Sequence, residues 1–206
     1  MKGKFIVLEG PDGSGKTTQI TRLKEYLERN GRECLITREP GGTRIGEAIR
    51  HIILNPDYTE MSDVTEMLLY AASRAQLIHD VIGPAIEEGK VVISDRFVDS
   101  SIVYQGIARG LGIETVSRIN APGIGIYQPD LIFFIDIPEE EGLARKKKQK
   151  KLDRLEQESI DFHHMVSEGY RKVLCDRPEV IRIDGCLSVE EIHQEIRKYI
   201  EEEADE

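Results

Sequence analysis

Five short runs of apolar residues punctuate the chain: Phe5 to Leu8, Cys34 to Thr37, Lys90 to Asp95, Leu131 to Asp136 and Val180 to Ile183. Most are continuously apolar, as in strands buried on both faces. The stretches between them repeat their apolar positions every three to four residues. Gln19 to Asn30 reads as a helix, ended by Asn30-Gly31. Thr43 is placed to cap a helix to about Leu54, with Ile45, Ala48, Ile49, Ile52 and Ile53 on one side and Asn55-Pro56-Asp57 as its stop. Met61 to Glu88 predicts one or two helices, with a break or kink at Pro84. Phe97 to Arg109 predicts another, then a short one to about Ala121 beyond Gly110 and Gly112. Pro138 opens a helix running into a basic cluster, and Leu155 to about Cys175 reads as helical again. Ser188 with Glu191 has capping-box spacing for the last helix. Strand and helix alternate throughout. The expectation is an α/β fold, one domain over 1–206, with about five mostly parallel strands and helices on both faces.

The first run ends in chemistry. Phe5 to Thr18 reads FIVLEGPDGSGKTT, in which Gly10, Gly15, Lys16 and Thr17 fill the fixed positions of G-x-x-x-x-G-K-[ST]. A strand before and a helix after supply the context of a phosphate-binding loop. Glycines let successive backbone N–H groups turn inward, and the helix N-terminus adds partial positive charge. The whole loop, Gly10, Pro11, Asp12, Gly13, Ser14, Gly15, Lys16, Thr17 and Thr18, is the candidate ATP site. Lys16 would reach the β- and γ-phosphates, and Thr17 would hold Mg²⁺. The third strand ends in Asp95, where phosphate-loop enzymes commonly place a carboxylate beside that ion. Thr17 and Asp95 are therefore the candidate metal residues.

Composition narrows the classes. The 206 residues carry 38 acidic against 28 basic side chains, a net charge of −10, which argues against a protein that coats nucleic acid. No apolar run approaches the length of a membrane span. Three widely spaced cysteines, Cys34, Cys175 and Cys186, form neither a metal pattern nor a disulfide framework. The chain opens directly into a strand, without the pattern of a signal peptide. A cytoplasmic location is expected, with no nucleic-acid or membrane partner.

Further clusters separate a transferase from a switch. They are TREPGGT at Thr37 to Thr43, LLYAASRAQ at Leu68 to Gln76 and DRFVDSSIVYQG at Asp95 to Gly106. PDLIFFIDI at Pro129 to Ile137 and LDRLEQES at Leu152 to Ser159 complete the series. In this order and spacing, along nearly the whole chain, the sequence resembles the thymidylate kinase family. The resemblance implies a P-loop nucleoside-monophosphate-kinase-like fold and a homodimer. It implies the reaction of ATP with dTMP to give ADP and dTDP, with Mg²⁺. Residue chemistry agrees with such a reaction. A phosphate acceptor is largely ionised at neutral pH, its second pKa being near 6. No general base is then needed, and the task is to hold two polyanions in line and offset their repulsion. Arg38, Arg50, Arg74, Arg96, Arg145 and Arg154 are the candidates, and no histidine falls in these motifs.

The resemblance also assigns roles. Asp95 would lie near metal and phosphates, Arg96 would grip the acceptor phosphate with help from Arg50, Glu39 would sit in the acceptor site, and Asp12 would meet the sugar 3′-hydroxyl. Arg74 would face thymine O4, an acceptor where cytosine has a donor. Tyr70, where the family commonly has Phe, would stack on the ring. Tyr70 and Arg74 share a face, one helical turn apart. Ser101 and Gln105 would complete the base contacts, and Tyr104 would crowd the sugar 2′-position. The basic run Arg145 to Lys151 falls where related kinases carry a lid, here about 143–156. Its order of candidate catalytic cations is Arg145, Arg154, then Lys147 or Lys148. With Lys16, Asp95 and Arg96, Arg145 and Arg154 complete the candidate catalytic set. Gly13 stands where some thymidylate kinases have a loop arginine, which implies the branch that supplies charge from the lid. Two other readings are another nucleoside-monophosphate kinase and a phosphate-loop ATPase switch without an acceptor.

Overall fold

The structure is a computed structural model that describes residues 3–146, 153–175 and 177–202. Five parallel strands form one sheet in the order β2-β3-β1-β4-β5: β1 Lys4–Glu9, β2 Cys34–Arg38, β3 Val91–Asp95, β4 Leu131–Asp136 and β5 Val180–Asp184. This is the α/β fold and strand count that the apolar runs predict. The central strands are the continuously apolar ones. All of β4 is buried, as is β1 after Lys4, whereas the edge strands β2 and β5 alternate and leave Ile36 exposed. The side chains of β1 divide between two cores. Ile6 and Leu8 pack with Ile93, Phe133 and Ile135 on one face, and Phe5 and Val7 with Val92, Phe97 and Ile132 on the other.

Helix α1 (Lys16–Arg29) and α9 (Val189–Glu202) cover the first face. The second is covered by the long segment that starts with α3 (Asp63–Leu77), widens into a π-helical turn at Ile78–Ile82 and ends as α4 (Gly83–Glu87). The interruption predicted at Pro84 thus falls just before the proline: the helix continues through it, and the π turn widens the ladder where a proline would otherwise withhold its N–H and crowd the carbonyl four residues back. Helix α2 (Arg44–Leu54) begins at the predicted Thr43 cap, whose hydroxyl accepts from Gly46 N at 2.9 Å. The Ser188–Glu191 capping box closes at 2.8 and 3.2 Å.

Two helices differ from the periodic reading. Phe97 to Arg109 is α5 (Val98–Ser101) followed by a π-helical stretch, Ile102–Ala108, a form that recurs at functional sites. The segment expected to be helical from Leu155 starts only at Ile160, as α8 (Ile160–Leu174). Ser159 caps it by accepting from Phe162 N at 3.2 Å. Just before, Asp153 and Glu156 bond each other's backbone N–H at 2.9 and 3.0 Å and hold a turn. These reciprocal bonds cap a single turn, closed by Gln157 N on Asp153 O at 3.1 Å, and the extended backbone of Ser159 separates that turn from α8. Helices α6 (Ile113–Ile124) and α7 (Glu139–Lys146) complete the chain order.

Register places the site. Leu8 and Arg38 both pair with Asp95, so Glu9, Arg38 and Asp95 arrive together at the carboxyl edge. β1 is flanked by β3 on one side and β4 on the other, and the crevice where connections diverge from such a strand is where open α/β sheets bind ligands.

Candidate active site

A cleft of about 570 Å³ opens at that edge. Its floor is the phosphate loop. Gly10, Gly13 and Gly15 all have positive φ, and Gly15 ends the loop as the N-cap of α1. Gly13 has a second constraint: a Cβ there would lie 2.6 Å from the carbonyl oxygen of Gly142 in α7. This turn of α7 packs directly on the loop, in the space an arginine at position 13 would need. Lys16 is buried under the loop, where its Nζ donates to Gly10 O at 2.9 Å and Pro11 O at 3.1 Å. Burial, with Arg96 nearby, pushes its pKa down to about 8. Of the other predicted loop residues, Asp12, Gly13, Gly15, Thr17 and Thr18 line the cleft, while Gly10, Pro11 and Ser14 are not among its lining residues.

At the mouth of the loop, Thr17 Oγ1 donates to Asp95 Oδ2 at 3.2 Å. A hydroxyl and one carboxylate are the sparse oxygen set that suits Mg²⁺, which keeps waters and takes other ligands from phosphates. Among the described residues no group of three His, Cys, Asp or Glu side chains could hold a metal as an all-protein cage.

Arg96 follows Asp95 and stands between loop and acceptor wall. Among the described residues it is the sole non-glycine with positive φ, at 72°. Such backbone persists where the surroundings over-determine it, and here they do. Its N–H donates to Leu8 O at 3.0 Å. Its guanidinium donates to Asp12 Oδ1 at 2.6 Å, Gly10 O at 3.0 Å, Ser100 Oγ at 3.1 Å and Tyr170 Oη at 2.5 Å. Burial opposes its charge, but Tyr170, Tyr104, Asp12 and Asp95 around it raise its pKa well above the ordinary arginine value. Glu9, unassigned from the sequence, braces this corner: its carboxylate accepts from Phe97 N at 2.8 Å and Ser100 Oγ at 2.7 Å. Burial, with Asp99 adding repulsion, lifts the Glu9 pKa to about 7.

The acceptor wall is built by α3, α5 and the π-helical stretch. Arg74 is buried, and its Nε donates to Glu39 Oε2 at 2.7 Å. Nη1 bonds Asn120 Oδ1, and Nη2 reaches Ser101 Oγ at 3.0 Å and Phe97 O at 3.2 Å. Among the described residues those contacts leave one Nη1 hydrogen without a partner. Burial raises the Glu39 pKa against the pull of Arg74, and Glu39 Oε1 has no hydrogen-bond partner among the described residues. Tyr70, Tyr104, Ser101 and Gln105 all line the same cleft. Arg50 also lines it and donates to Pro40 O at 2.9 Å.

The cations expected to serve as a lid part company. Arg145 reaches the cleft, with Nη1 on Gly13 O at 3.3 Å and Nη2 on Gly185 O at 3.2 Å, while Nε pairs with Glu141 at 3.0 Å. Arg154 is not brought to the cleft. It is drawn away by Glu66 Oε2 at 2.5 Å and Ile53 O at 2.8 Å. Lys147 and Lys148 lie outside the described residues. Sequence reasoning missed Glu9, Glu66 and Tyr170. Glu9 and Glu66 stand beside recognised motifs, but nothing local in the sequence marks Tyr170.

A phosphate loop facing an arginine-lined acceptor wall across one cleft defines a nucleotide kinase of the phosphate-loop class. The comparisons are specific. The family model described as "Thymidylate kinase" matches residues 8–196. A thymidylate kinase from Thermoanaerobacter sp. (strain X514) is 52% identical over 205 residues, which cover 97% of this chain and 100% of that protein. One from Geobacillus sp. (strain WCH70) is 51% identical, covering 93% of each. One from Trichodesmium erythraeum is 43% identical, covering 97% of this chain and 96% of its own. The chain belongs to the thymidylate kinase family.

Proposed function

We propose that this chain transfers the γ-phosphoryl group of ATP to the phosphate of dTMP, giving ADP and dTDP, with the cleft residues in the roles set out here. The observation that carries the reading is the single cleft that joins the phosphate loop to the wall of Arg74, Ser101 and Gln105. The triphosphate lies on the loop, and Lys16 exchanges the carbonyls of Gly10 and Pro11 for phosphate oxygens. Thr17 and Asp95 would hold Mg²⁺, which when bound offsets phosphate charge. Arg96 takes the acceptor phosphate, supported by Arg50, and releases Asp12 toward the sugar 3′-hydroxyl. Tyr70 stacks on the base, Arg74 donates to O4, Ser101 and Gln105 complete the base site, and Tyr104 closes the 2′-side.

An oxygen of the dTMP phosphate forms the new bond to γ-phosphorus as the bond to the β–γ bridging oxygen breaks. The acceptor oxygen is already ionised, so catalysis here is positioning and charge stabilisation. Arg145 is the lid cation placed to meet the transferred phosphoryl; Arg154 anchors the lid segment, 143–156, at its far end. The domain is a single unit over 1–206.

Steady-state assay against dTMP, dUMP, dCMP, dGMP and AMP, with product analysis, tests the reading. The expected product is dTDP, with slower turnover of dUMP; if dTMP is not among the best acceptors, the base-site assignment is wrong.

A homodimer belongs to the same proposal. Its support is the pair Val64 and Leu68, one turn apart on α3 and each about half exposed, at 50% and 48%. Sedimentation equilibrium is expected to give twice the chain mass, reduced by Leu68→Glu, and a monomeric wild type would end this part of the proposal. The cytoplasmic location rests on the use of ATP and on three cysteines that are all unpaired. Cell fractionation that placed the protein elsewhere would overturn it. No helix among the described residues is long and apolar enough to cross a membrane.

A further inference from the structure

Glu66 lies on α3 and is almost wholly buried, at 1% exposure. Four groups donate to its carboxylate. Gln105 Nε2 reaches Oε1 at 2.9 Å, and Arg109 reaches Oε1 and Oε2 at 3.3 and 3.1 Å. Arg154 Nη2 completes the set on Oε2. Burial works to raise its pKa, but the bonds from Arg109, Gln105 and Arg154 outweigh it and hold the group below the ordinary glutamate value. Glu66 is therefore an ionised carboxylate at neutral pH, and an ionised carboxylate only accepts hydrogen bonds.

The consequence falls on Gln105. A glutamine amide has a donor end and an acceptor end. Facing Glu66, only the NH₂ end is tolerable. The carbonyl end is turned the other way, and Gln105 Oε1 is buried with no hydrogen-bond partner among the described residues. A buried acceptor left in this state costs free energy until a donor meets it. Gln105 lines the cleft beside Ser101 and Arg74, where the reading above places the base. On a pyrimidine's Watson–Crick edge, N3 of thymine or uracil carries a hydrogen. N3 of cytosine is a bare acceptor.

We propose that Glu66 is a specificity-determining positioning residue: it sets the Gln105 amide so that its carbonyl oxygen is presented to the base, which selects pyrimidines bearing a hydrogen on N3 and rejects cytosine. The inference rests on the base-site reading above. It adds to that reading the residue that fixes which end of the Gln105 amide meets the base. It also explains why the carboxylate is ringed by arginines: Arg109 and Arg154 keep it ionised, and so keep it an acceptor.

The test is a ratio. kcat/KM is measured for dTMP, dUMP and dCMP with the wild-type chain, Glu66→Gln, Gln105→Met and the double variant. A glutamine at 66 can donate or accept, so Gln105 is free to turn over. Glu66→Gln and Gln105→Met are each expected to lower the dTMP:dCMP ratio by about tenfold, one unsatisfied bond's worth. The double variant should fall no further than either single one. The dTMP:dUMP ratio should not move, because both bases carry the N3 hydrogen. Slackening of the lid through Arg154 slows both acceptors alike and cancels in the ratio. If Gln105→Met lowers the ratio and Glu66→Gln does not, the inference fails and the base site stands. If neither lowers it, Gln105 does not read the base and both fail. Additive losses, or a loss on Glu66→Gln alone, mean that Glu66 acts by another route and also overturn the inference.

A measurement on the wild-type chain covers the case in which Glu66→Gln does not fold. In glutamine-¹⁵N-labelled protein, the Gln105 side-chain signal is assigned by its loss in Gln105→Met. Its NH₂ is expected to resist solvent exchange before and after dTMP is added, since it faces Glu66. An NH₂ that exchanges freely until dTMP arrives would face the base and would overturn the inference.

Discussion

The proposed acceptor wall and the proposed lid root both present arginine to the same cleft, but under opposite conditions. On the wall, Arg74 and Glu39 are 2% and 3% exposed and their charges are paired before any substrate arrives. At the lid, Arg145 and Glu141 are 36% and 48% exposed and pair across one helical turn. A buried pair is costly to break, because removing one partner strands the other in low dielectric. An exposed pair one turn apart is worth little and is readily exchanged. On the proposed assignment the wall is a preorganised mould for one acceptor, and the lid cation can change partners cheaply. That division suits a reaction whose acceptor must be recognised once and whose phosphoryl charge must be met only during transfer.

Substitutions can break this contrast, and they rank. Arg96 holds the corner between the two regions, and Arg96→Ala is expected to lower kcat/KM for dTMP on the order of 10²- to 10³-fold, the scale of losing one partner of a buried, hydrogen-bonded charge contact to the acceptor phosphate. A loss below tenfold in steady-state assay would remove it from the phosphate site. Arg74→Met strands Glu39, and equilibrium denaturation should show a loss of about 3–5 kcal/mol of stability together with weaker discrimination against dCMP. A loss under 1 kcal/mol would mean that the wall is not preorganised as described.

Arg145→Met should depress kcat by about tenfold to a hundredfold with little change in the KM for dTMP, since its contribution belongs to the transition state. An unchanged turnover number would rule out the division of labour between wall and lid. Arg154→Met, by contrast, should disturb the lid's anchorage and cost kcat less than Arg145→Met does. The smallest effect is electrostatic. Lys16 has its pKa lowered to about 8 without nucleotide, and triphosphate charge beside it raises that value. Above pH 8 the free enzyme has lost this proton more than the complex has, so binding takes a proton up. Titration calorimetry at pH 9 in buffers of differing ionisation enthalpy should detect that uptake, and its absence would place the lysine away from the phosphates.

Much of this arrangement was legible in the chain. Gly10, Gly15, Lys16 and Thr17 are diagnostic because the loop is local: its conformation and its chemistry come from adjacent residues. Asp95 and Arg96 were legible because an apolar strand must end at the sheet edge where the loop also ends. Tyr70 and Arg74 share a helix face by simple periodicity. Arg154 was not legible. It stands in a basic stretch that reads as lid, and only the fold shows that Glu66, 88 residues away, claims it. Glu9 looked like the last residue of a strand, and becomes the brace for Phe97 and Ser100 only when β1 and β3 pair. The helix expected from Leu155 started late for a local reason: the Asp153–Glu156 box caps only a single turn, and Ser159, extended as an N-cap must be, breaks the chain before α8 begins.

Local patterns alone thus determined the phosphate loop, the five-strand alternation and the family, because backbone freedom, apolar periodicity and motif spacing are properties of neighbouring residues. Tertiary structure decided which charges are already paired, which lid arginine reaches the cleft, and why position 13 is glycine, with Gly142 O 2.6 Å from any Cβ there. Those are questions of partner and distance across the fold, and a long side chain such as arginine can reach several partners from one backbone position. Its role is set by which carboxylate the fold brings within about 3 Å, where a charge-assisted bond forms.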